Sequence, residues 1–227
     1  MKKLLFLFDI DGTLLSPASL SRKLLNEAIT EITGFLPDLQ YKDVAGCTDP
    51  SIVEKALGKA GMSPTETSEL LSRILDYYSE KTEEVFPVSE KPFVYEDAVV
   101  FLDKVVASGS AVGLMTGNIN RVAKVKLHRF NLWSTFPFGV FGDDVVEKSI
   151  MPRIAQERAW GFYRQAFRLE HMIIVGDTSS DAYAASENGS RSIIVCRKPE
   201  HRDEIILAEP GQIVDTLDDE ILLSILD

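Results

Sequence analysis

Two aspartates, Asp9 and Asp11, stand directly after a short apolar run, Leu4 to Phe8. A run that is apolar at every position is typical of a strand buried on both faces of a parallel sheet. Extended backbone points residues two apart to the same side, so both carboxylates can approach one cation and one phosphate group. Charged groups at a buried strand end need a counter-charge, usually a metal ion or a basic side chain. These residues alone leave open the alternative of an acidic turn after an edge strand.

Two later apolar runs end in polar residues in the same way. Ala111 to Met115 leads into Thr116-Gly117-Asn118, and Met172 to Val175 leads into Gly176-Asp177, with Asp181 following in the same segment. In open α/β sheets, ligands bind in the crevice at the carboxyl ends of the strands. Each turn is weak evidence by itself, because such turns often only cap a helix. The three turns together predict one shared site.

The order of apolar patterns predicts the fold class. After residue 87, strand-like runs alternate with helix-like stripes, including a short strand near residues 138–141 and a closing helix near residues 219–226. This alternation indicates an α/β fold with a doubly wound parallel sheet and right-handed crossovers. Between residues 16 and 87 the apolar spacing is helical only, and Ser63-Pro64-Thr65-Glu66 is a capping box that starts one of these helices. We therefore expect a core formed by residues 1–15 and 88–227, with an all-helical cap inserted as residues 16–87.

Composition excludes several classes of function. The net charge of −11 argues against general binding to nucleic acid or to anionic membranes, because both need an excess of Lys and Arg. The N-terminal residues imitate a signal peptide, but their apolar run ends at Asp9, short of the roughly seven residues that a signal core needs. No later stretch approaches the roughly 18 apolar residues of a membrane span, so we expect a cytoplasmic protein. Cys47 and Cys196 lie far apart and predict neither a zinc site nor a disulfide framework.

Three segments resemble, in chain order, the first, second and fourth motifs of the haloacid dehalogenase-like (HAD) hydrolase superfamily. They are Phe8-Asp9-Ile10-Asp11-Gly12-Thr13-Leu14, Leu114-Met115-Thr116-Gly117-Asn118 and Gly176-Asp177-Thr178-Ser179-Ser180-Asp181. The match spans nearly the whole chain, and the helical insertion between the first two motifs resembles the family's cap of the first type. Each motif alone is unspecific, but the combination is highly specific. The resemblance implies a Rossmann-like core and points to the branch of phosphatases similar to phosphoglycolate phosphatase.

The resemblance also implies phosphoryl transfer by named residues. Asp9 would be the nucleophile that forms an aspartyl-phosphate and so splits hydrolysis into two easier steps. Asp11 would protonate the leaving alkoxide and later deprotonate the attacking water. Mg²⁺ would be held by Asp9, the main-chain carbonyl of Asp11 and Asp177, and Asp181 would support the metal shell.

The phosphate group would be bound by residues of two further motifs. Thr116 and the backbone amides of Gly117 and Asn118, at the opening of a helix, would form a phosphate cradle. The family's third motif supplies a basic residue, but the usual Lys-Pro pair is missing here. We select Lys148 for this role and keep Arg153 as its rival. The alternative is that Lys148 is a solvated residue at a helix start.

Two other segments are weaker candidates. The loop from Val44 to Thr48 resembles the cap loop that reaches over the site in the family, so Lys42 and Thr48 are candidates for contact with the substrate. Ordinary packing of the cap explains that loop equally well. The basic residues from Arg121 to Arg129, Lys126 among them, are expected to form a solvated helix face.

The acid at position 11 selects among the reactions of the superfamily. An acid there points to a phosphomonoester, because dehalogenases and phosphonatases of the family typically lack it. Sugar-phosphate mutases keep this acid but carry a cap histidine shortly after the first motif, and residues 16–21 contain none, so a phosphatase of a small phosphorylated metabolite is favoured. Phosphoglycolate, a sugar phosphate and a nucleoside monophosphate fit equally. A catalytically silent binding module is the alternative from another class, and the intact Asp9, Asp11 and Asp177 argue against it.

Overall fold

The computed structural model describes residues 3–145 and 147–226. In chain order, the strands are β1 (Leu5–Phe8), β2 (Leu15–Ser16), β3 (Phe93–Val94), β4 (Ala111–Met115), β5 (Gly139–Val140), β6 (Met172–Gly176), β7 (Arg191–Val195) and β8 (Gln212–Val214). The α-helices are α1 (Leu20–Thr33), α2 (Tyr41–Val44), α3 (Asp49–Lys59), α4 (Pro64–Val85), α5 (Glu96–Ala107), α6 (Asn120–Arg129), α7 (Met151–Tyr163), α8 (Ser179–Glu187) and α9 (Arg202–Leu207).

Six of these strands form one parallel sheet in the order β5-β4-β1-β6-β7-β8. Leu5 of β1 pairs with Ala111 of β4 on one side and with Met172 of β6 on the other. The strand order therefore reverses around β1, and this is the place where open α/β sheets bind their ligands. The doubly wound parallel sheet predicted from the sequence is confirmed.

Strand β1 is buried on both faces because its residues alternate between two apolar clusters. Phe6 and Phe8 pack in the cluster that contains residues of α5 and α6, whereas Leu5 and Leu7 pack with residues of α7 and α8. Burial of each such side chain contributes about 1.5–3 kcal/mol, so a continuous apolar run is what this position requires. The end of β1, and with it Asp9, is thereby held between two packed helical layers.

The helices between β2 and β3 form a block of their own, which we call the helical block (residues 20–85). Strands β2 and β3 pair antiparallel at its base, with Leu15 opposite Val94. An apolar cluster joins α1, α3 and α4 and includes Ile119, which directly precedes the core helix α6, and Val122 within that helix. The capping box predicted for α4 is present, since Glu66 N donates to Ser63 Oγ at 3.3 Å and Ser63 N donates to Glu66 Oε2 at 2.8 Å.

Three local elements differ from the sequence prediction. The helix expected near residues 219–226 is a 3₁₀-helix, Glu220–Ile225. The strand expected near residues 138–141 is limited to Gly139–Val140. The four-residue helix α2, in the loop between α1 and α3, was not predicted.

Candidate active site

Asp9 lies at the carboxyl end of β1 and is buried there. Its backbone N–H donates to Val175 O of β6 at 2.9 Å, which fixes the strand end. Its carboxylate accepts from Ile10 N at 2.8 Å through Oδ1 and from Lys148 Nζ at 2.8 Å through Oδ2. The carboxylate of Asp9 is thus paired directly with a basic residue.

Lys148 is almost fully buried and lies between two carboxylates. It belongs to a short 3₁₀-helix, Lys148–Ile150, that precedes α7. Its Nζ lies 2.7 Å from Asp181 Oδ1 as well as near Asp9. Burial alone would lower the pKa of Lys148, but the carboxylates of Asp181 and Asp9 outweigh this effect and raise the pKa above its ordinary value. The amine is therefore held as an ammonium. The rival Arg153 is exposed, and its Nε donates to Asn188 Oδ1 at 3.1 Å, away from Asp9.

Asp177 and Asp181 follow β6 and extend the acidic cluster. Carboxylate oxygens of Asp9, Asp177 and Asp181 lie within 4.8 Å of one another. Both oxygens of Asp181 are engaged, because Oδ2 accepts from Thr178 N and Oγ1 at 3.2 and 2.7 Å while Oδ1 faces Lys148. Asp177 Oδ1 is buried and, among the described residues, has no hydrogen-bond partner.

The electrostatics of this cluster are incomplete. Burial raises the pKa of Asp177 well above its ordinary value, and the neighbouring carboxylates of Asp181 and Asp9 raise it further. Burial is also the main cause that raises the pKa of Asp9, against the opposing effect of Lys148. One ammonium thus faces three crowded carboxylates. Oxygen donors in this number, one of them unpartnered, fit a hard divalent cation.

Asp11, two residues after Asp9, is half-buried and meets a second lysine. Lys126 Nζ of α6 lies 2.5 Å from Asp11 Oδ2. The side chain of Lys126 is fully buried, so the solvated helix face expected for residues 121–129 is wrong at this position. The prediction overlooked that Lys126 lies four residues after Val122 and three after Ala123, on the apolar side of α6, where side chains face the protein interior.

The loop after β4 carries the residues expected to bind phosphate. Thr116 Oγ1 accepts from Asn118 N at 3.3 Å and from Asn118 Nδ2 at 2.9 Å, so this side chain organises the loop. The amide of Asn118 also lies 3.2 Å from Asp11 Oδ2. The sequence predicts that Gly117 and Asn118 lie at the opening of a helix, but α6 begins at Asn120, two residues after Asn118. Thr116, Gly117 and Asn118 are nevertheless buried at the carboxyl end of the sheet, beside Asp11.

Gly12 and Arg197 hold the backbone of the first motif in place. Gly12 has φ 82°, and a Cβ there would lie 2.0 Å from Asp177 Oδ2, so only glycine fits this turn. Arg197, just after β7, donates to Gly12 O at 2.9 Å and to Thr13 O at 3.2 Å. Its guanidinium is in turn paired with Asp97 at 3.0 Å. Sequence analysis missed Arg197, although a basic residue at a fourth strand end was a signal that could have identified it.

The helical block contacts the core at the loop after β4. Asp49, the first residue of α3, donates its N–H to Gly117 O at 2.8 Å, and its Oδ2 accepts from Ile119 N at 2.9 Å. A Cβ on Gly117 would lie 2.1 Å from Cys47 O, so the two segments approach as closely as glycine permits. The residues expected to bind phosphate are thereby covered by the start of α3.

A cavity of about 390 Å³ lies between the helical block and the carboxyl end of the sheet. Asp9, Asp11, Lys148 and Asp177 line it together with residues of the helical block. Neither Lys42, which is exposed, nor Thr48 is among its lining residues. Thr48 instead caps α3, where its Oγ1 accepts from Ser51 N at 3.3 Å. The packing explanation for these two residues is the one this geometry favours.

The family model for haloacid dehalogenase-like hydrolases matches residues 6–195. The chain belongs to this family. The matched segment contains Asp9, Asp11, Lys148 and Asp177, and it spans the helical block as well. Among the described residues, no helix combines the length and the apolar character that a membrane crossing requires.

Individual relatives are similar over nearly their whole length. A probable phosphatase, IndB, from Dickeya dadantii is 25% identical, covering 96% of this chain and 92% of that protein. A phosphoglycolate phosphatase from Vibrio vulnificus is 24% identical, covering 94% and 92%. The crystal structure of a predicted phosphatase from Clostridium acetobutylicum has a TM-score of 0.74 at 20% identity and covers 100% and 99%. A β-phosphoglucomutase from Clostridium difficile has a TM-score of 0.73 at 16% identity, covering 100% and 97%. The two structural likenesses concern the fold.

Proposed function

We propose that this hydrolase is a Mg²⁺-dependent phosphatase that cleaves a small phosphomonoester through an aspartyl-phosphate on Asp9. The observation that carries the proposal is the convergence of Asp9, Asp11, Lys148 and Asp177 at one cavity. A buried carboxylate held 2.8 Å from a buried ammonium is oriented for attack on an electrophile. The relatives that are named phosphatases support the same class of reaction.

The first step transfers the phosphoryl group to the enzyme. A carboxylate oxygen of Asp9 attacks phosphorus, the ester P–O bond breaks, and the leaving alkoxide takes a proton from Asp11. Lys148 keeps the Asp9 carboxylate in place and offsets the negative charge of the incoming phosphate. Thr116, Gly117 and Asn118 bind the phosphate oxygens in this proposal, and two of them, Gly117 and Asn118, line the cavity.

The second step releases inorganic phosphate. Asp11, now a carboxylate, takes a proton from water while the water oxygen attacks phosphorus, and the bond from phosphorus to Asp9 breaks. The helical block excludes other water from the cavity during both steps. In this proposal residues 16–87, which contain the helical block, form the substrate-covering domain, and residues 1–15 and 88–227 form the catalytic domain.

Mg²⁺ would be held by Asp9, the main-chain carbonyl of Asp11 and Asp177, with Asp181 in support. Two observations support this assignment: Asp177 Oδ1 has no hydrogen-bond partner among the described residues, and burial, together with the carboxylates of Asp181 and Asp9, raises the pKa of Asp177. A cation at this position would offset both effects. When bound, the ion supplies charge neutralisation and orientation of the phosphoryl group.

The substrate is a small phosphorylated metabolite. A cavity of about 390 Å³ is in the range of small-molecule sites and is far too narrow for nucleic acid or a membrane surface. The leaving group must fit beneath the helical block. Phosphoglycolate is the first compound to test, because it is the substrate in the name of one relative.

The decisive experiment is the release of phosphate from p-nitrophenyl phosphate and from a panel of phosphorylated metabolites. We expect turnover that EDTA abolishes and Mg²⁺ restores. Asp9→Asn removes the nucleophile and should lower kcat by about 10⁴-fold or more. Asp103→Asn, at an exposed position on α5, is the matched control and should behave like wild type.

Two results would contradict the proposal. Appreciable turnover by Asp9→Asn would show that another group is the nucleophile. Absence of phosphate release from every ester would favour the catalytically silent module, and isomerisation of a sugar phosphate with negligible phosphate release would favour the mutase.

A further inference from the structure

Lys126 is a fully buried amine, and its hydrogen-bond partners among the described residues, Asp11 and Asn118, belong to the candidate site. Its Nζ lies 2.5 Å from Asp11 Oδ2 and also donates to Asn118 Oδ1. Asn118 Nδ2 in turn lies 3.2 Å from the same Asp11 oxygen. Lysine, aspartate and asparagine thus form a closed triangle between α6, the first motif and the loop after β4.

Packing does not explain a charge at this position. Lys126 shares its side of α6 with Val122, Ala123 and Leu127, all buried and apolar. Burial of an ammonium carries a large desolvation cost, which its attraction to a carboxylate roughly offsets, so an apolar side chain would serve the fold equally well. The amine is therefore better explained by what it does to Asp11.

The contacts divide the two oxygens of Asp11 between separate tasks. Lys126 and Asn118 both bind Oδ2. Oδ1 is buried and has no hydrogen-bond partner among the described residues. A carboxylate clamped through one oxygen presents the other in a fixed direction, which is what a proton acceptor for a positioned water requires.

We propose that Lys126 is a positioning residue that clamps the Asp11 carboxylate for activation of water in the dephosphorylation step. This inference rests on the proposed function, since it concerns the breakdown of the aspartyl-phosphate on Asp9. It assigns different steps to the two buried lysines. Lys148 acts at the nucleophile, whereas Lys126 acts through Asp11 and touches neither Asp9 nor the phosphate.

The test separates the two chemical steps with p-nitrophenyl phosphate in rapid mixing. Because p-nitrophenolate leaves without needing a proton, its release reports phosphorylation of Asp9 with little contribution from Asp11. In Lys126→Met we expect a burst of about one p-nitrophenolate per site, followed by turnover slower than wild type by about 10²–10³-fold. The intact mass of the protein should rise by one phosphoryl group during the burst.

Two further variants make the result specific. Lys126→Gln keeps a side-chain donor and should recover part of the dephosphorylation rate. Lys124→Met removes an exposed lysine from the same helix and should match wild type. If Lys126→Met does not fold, Lys126→Gln carries the test, because it should show a smaller burst of the same kind.

The outcomes distinguish this inference from the proposed function. The positioning role alone would be overturned by the following result: the wild type turns over, but folded Lys126→Met or Lys126→Gln releases p-nitrophenolate without a burst, with both chemical steps slowed equally. A phosphoryl mass increase that persists in Asp9→Asn, or a wild type without Mg²⁺-dependent turnover, would overturn the proposed function instead.

Discussion

Lys148 and Lys126 are both buried beside the first motif, but their charges are balanced to different degrees. Lys148 lies between Asp9 and Asp181, and Asp177 adds a third carboxylate to the same cluster. The negative charge there exceeds what one ammonium can offset. Burial is the main cause that raises the pKa of Asp177, and the neighbouring carboxylates of Asp181 and Asp9 raise it further.

Around Lys126 the positive charge is balanced by a carboxylate, without a further ion. Asp11 supplies one carboxylate, and Asn118 supplies a neutral amide that satisfies both partners. The comparison separates two uses of a buried lysine. One leaves a site that attracts a cation and a phosphate, and the other fixes a side chain in place.

The largest effect that can break this comparison is expected from Lys148→Met. It leaves Asp9 and Asp181 buried without their cation, so kcat should fall by about 10²–10³-fold. Loss of one partner from a buried pair also lowers the free energy of unfolding by about 3–5 kcal/mol. Urea unfolding with and without Mg²⁺, beside p-nitrophenyl phosphate kinetics, measures both.

The response to Mg²⁺ distinguishes the two lysines. Mg²⁺ should restore much of the lost stability in Lys148→Met, because the cation can take the place of the missing charge. It should restore none in Lys126→Met. Lys148→Arg, which keeps the charge, controls for folding, and an equal response to Mg²⁺ in both methionine variants would show that the two centres are not different in kind.

Asp177→Asn sharpens the comparison with an effect of opposite sign. The substitution removes one of three crowded charges, so in EDTA the free energy of unfolding should rise by about 1–3 kcal/mol. Mg²⁺ should then stabilise the variant far less than wild type, and turnover should fall. Thermal unfolding in EDTA and in Mg²⁺ measures this, with the exposed Asp203→Asn as control. A variant that is less stable than wild type in EDTA would mean that the cluster is not overloaded with negative charge.

The same two lysines show what could be predicted from the sequence. The sheet, the capping box of α4 and the positions of Asp9, Asp11 and Asp177 follow from local patterns, because a strand end and the turn after it are contiguous in the chain. Lys148 was selected only by its place between motifs. Its distance from Asp9 depends on how the segment before α7 returns to the sheet, and no local pattern encodes that.

The prediction that Lys126 is solvated was wrong because it rested on the charge of the residue and not on its position along α6. A lysine among basic neighbours is usually solvated, but its spacing from Val122 places it on the buried side of α6. Arg197 and Asp49 were missed for a different reason. Their partners, Gly12 O and Ile119 N, are backbone groups of distant segments. Because residues of every type carry a backbone carbonyl, and all but proline an N–H, the residue type of the partner does not reveal such a contact.

The smallest effect concerns Asp49, a buried acid of the helical block that has no lysine of its own. Burial raises the pKa of Asp49 to about 7, while Lys126 and the bond from Ile119 N oppose the rise. In the unfolded chain this carboxyl titrates near its ordinary value of about 3.9. Between these values the folded protein holds a proton that the unfolded chain has lost, so the stability contributed by Asp49 is present at low pH and is lost as pH rises toward 7.

Asp49→Asn cannot ionise, and its side-chain carbonyl can still accept from Ile119 N. Relative to wild type, the variant should therefore gain about 2.5–3 kcal/mol of stability between pH 5 and pH 8, because about two pH units lie between pH 5 and the raised pKa of about 7. Urea unfolding at the two pH values in EDTA measures the gain, and Asp103→Asn should show none. Because Asp49 joins the helical block to the loop that carries Asn118, a gain would mean that the block is held more weakly above neutral pH. A difference between variant and wild type that is the same at both pH values would show that Asp49 keeps an ordinary pKa, with its charge already balanced by Lys126. Asp49 would then belong, with Asp11 and Asn118, to the group of residues that Lys126 holds in place.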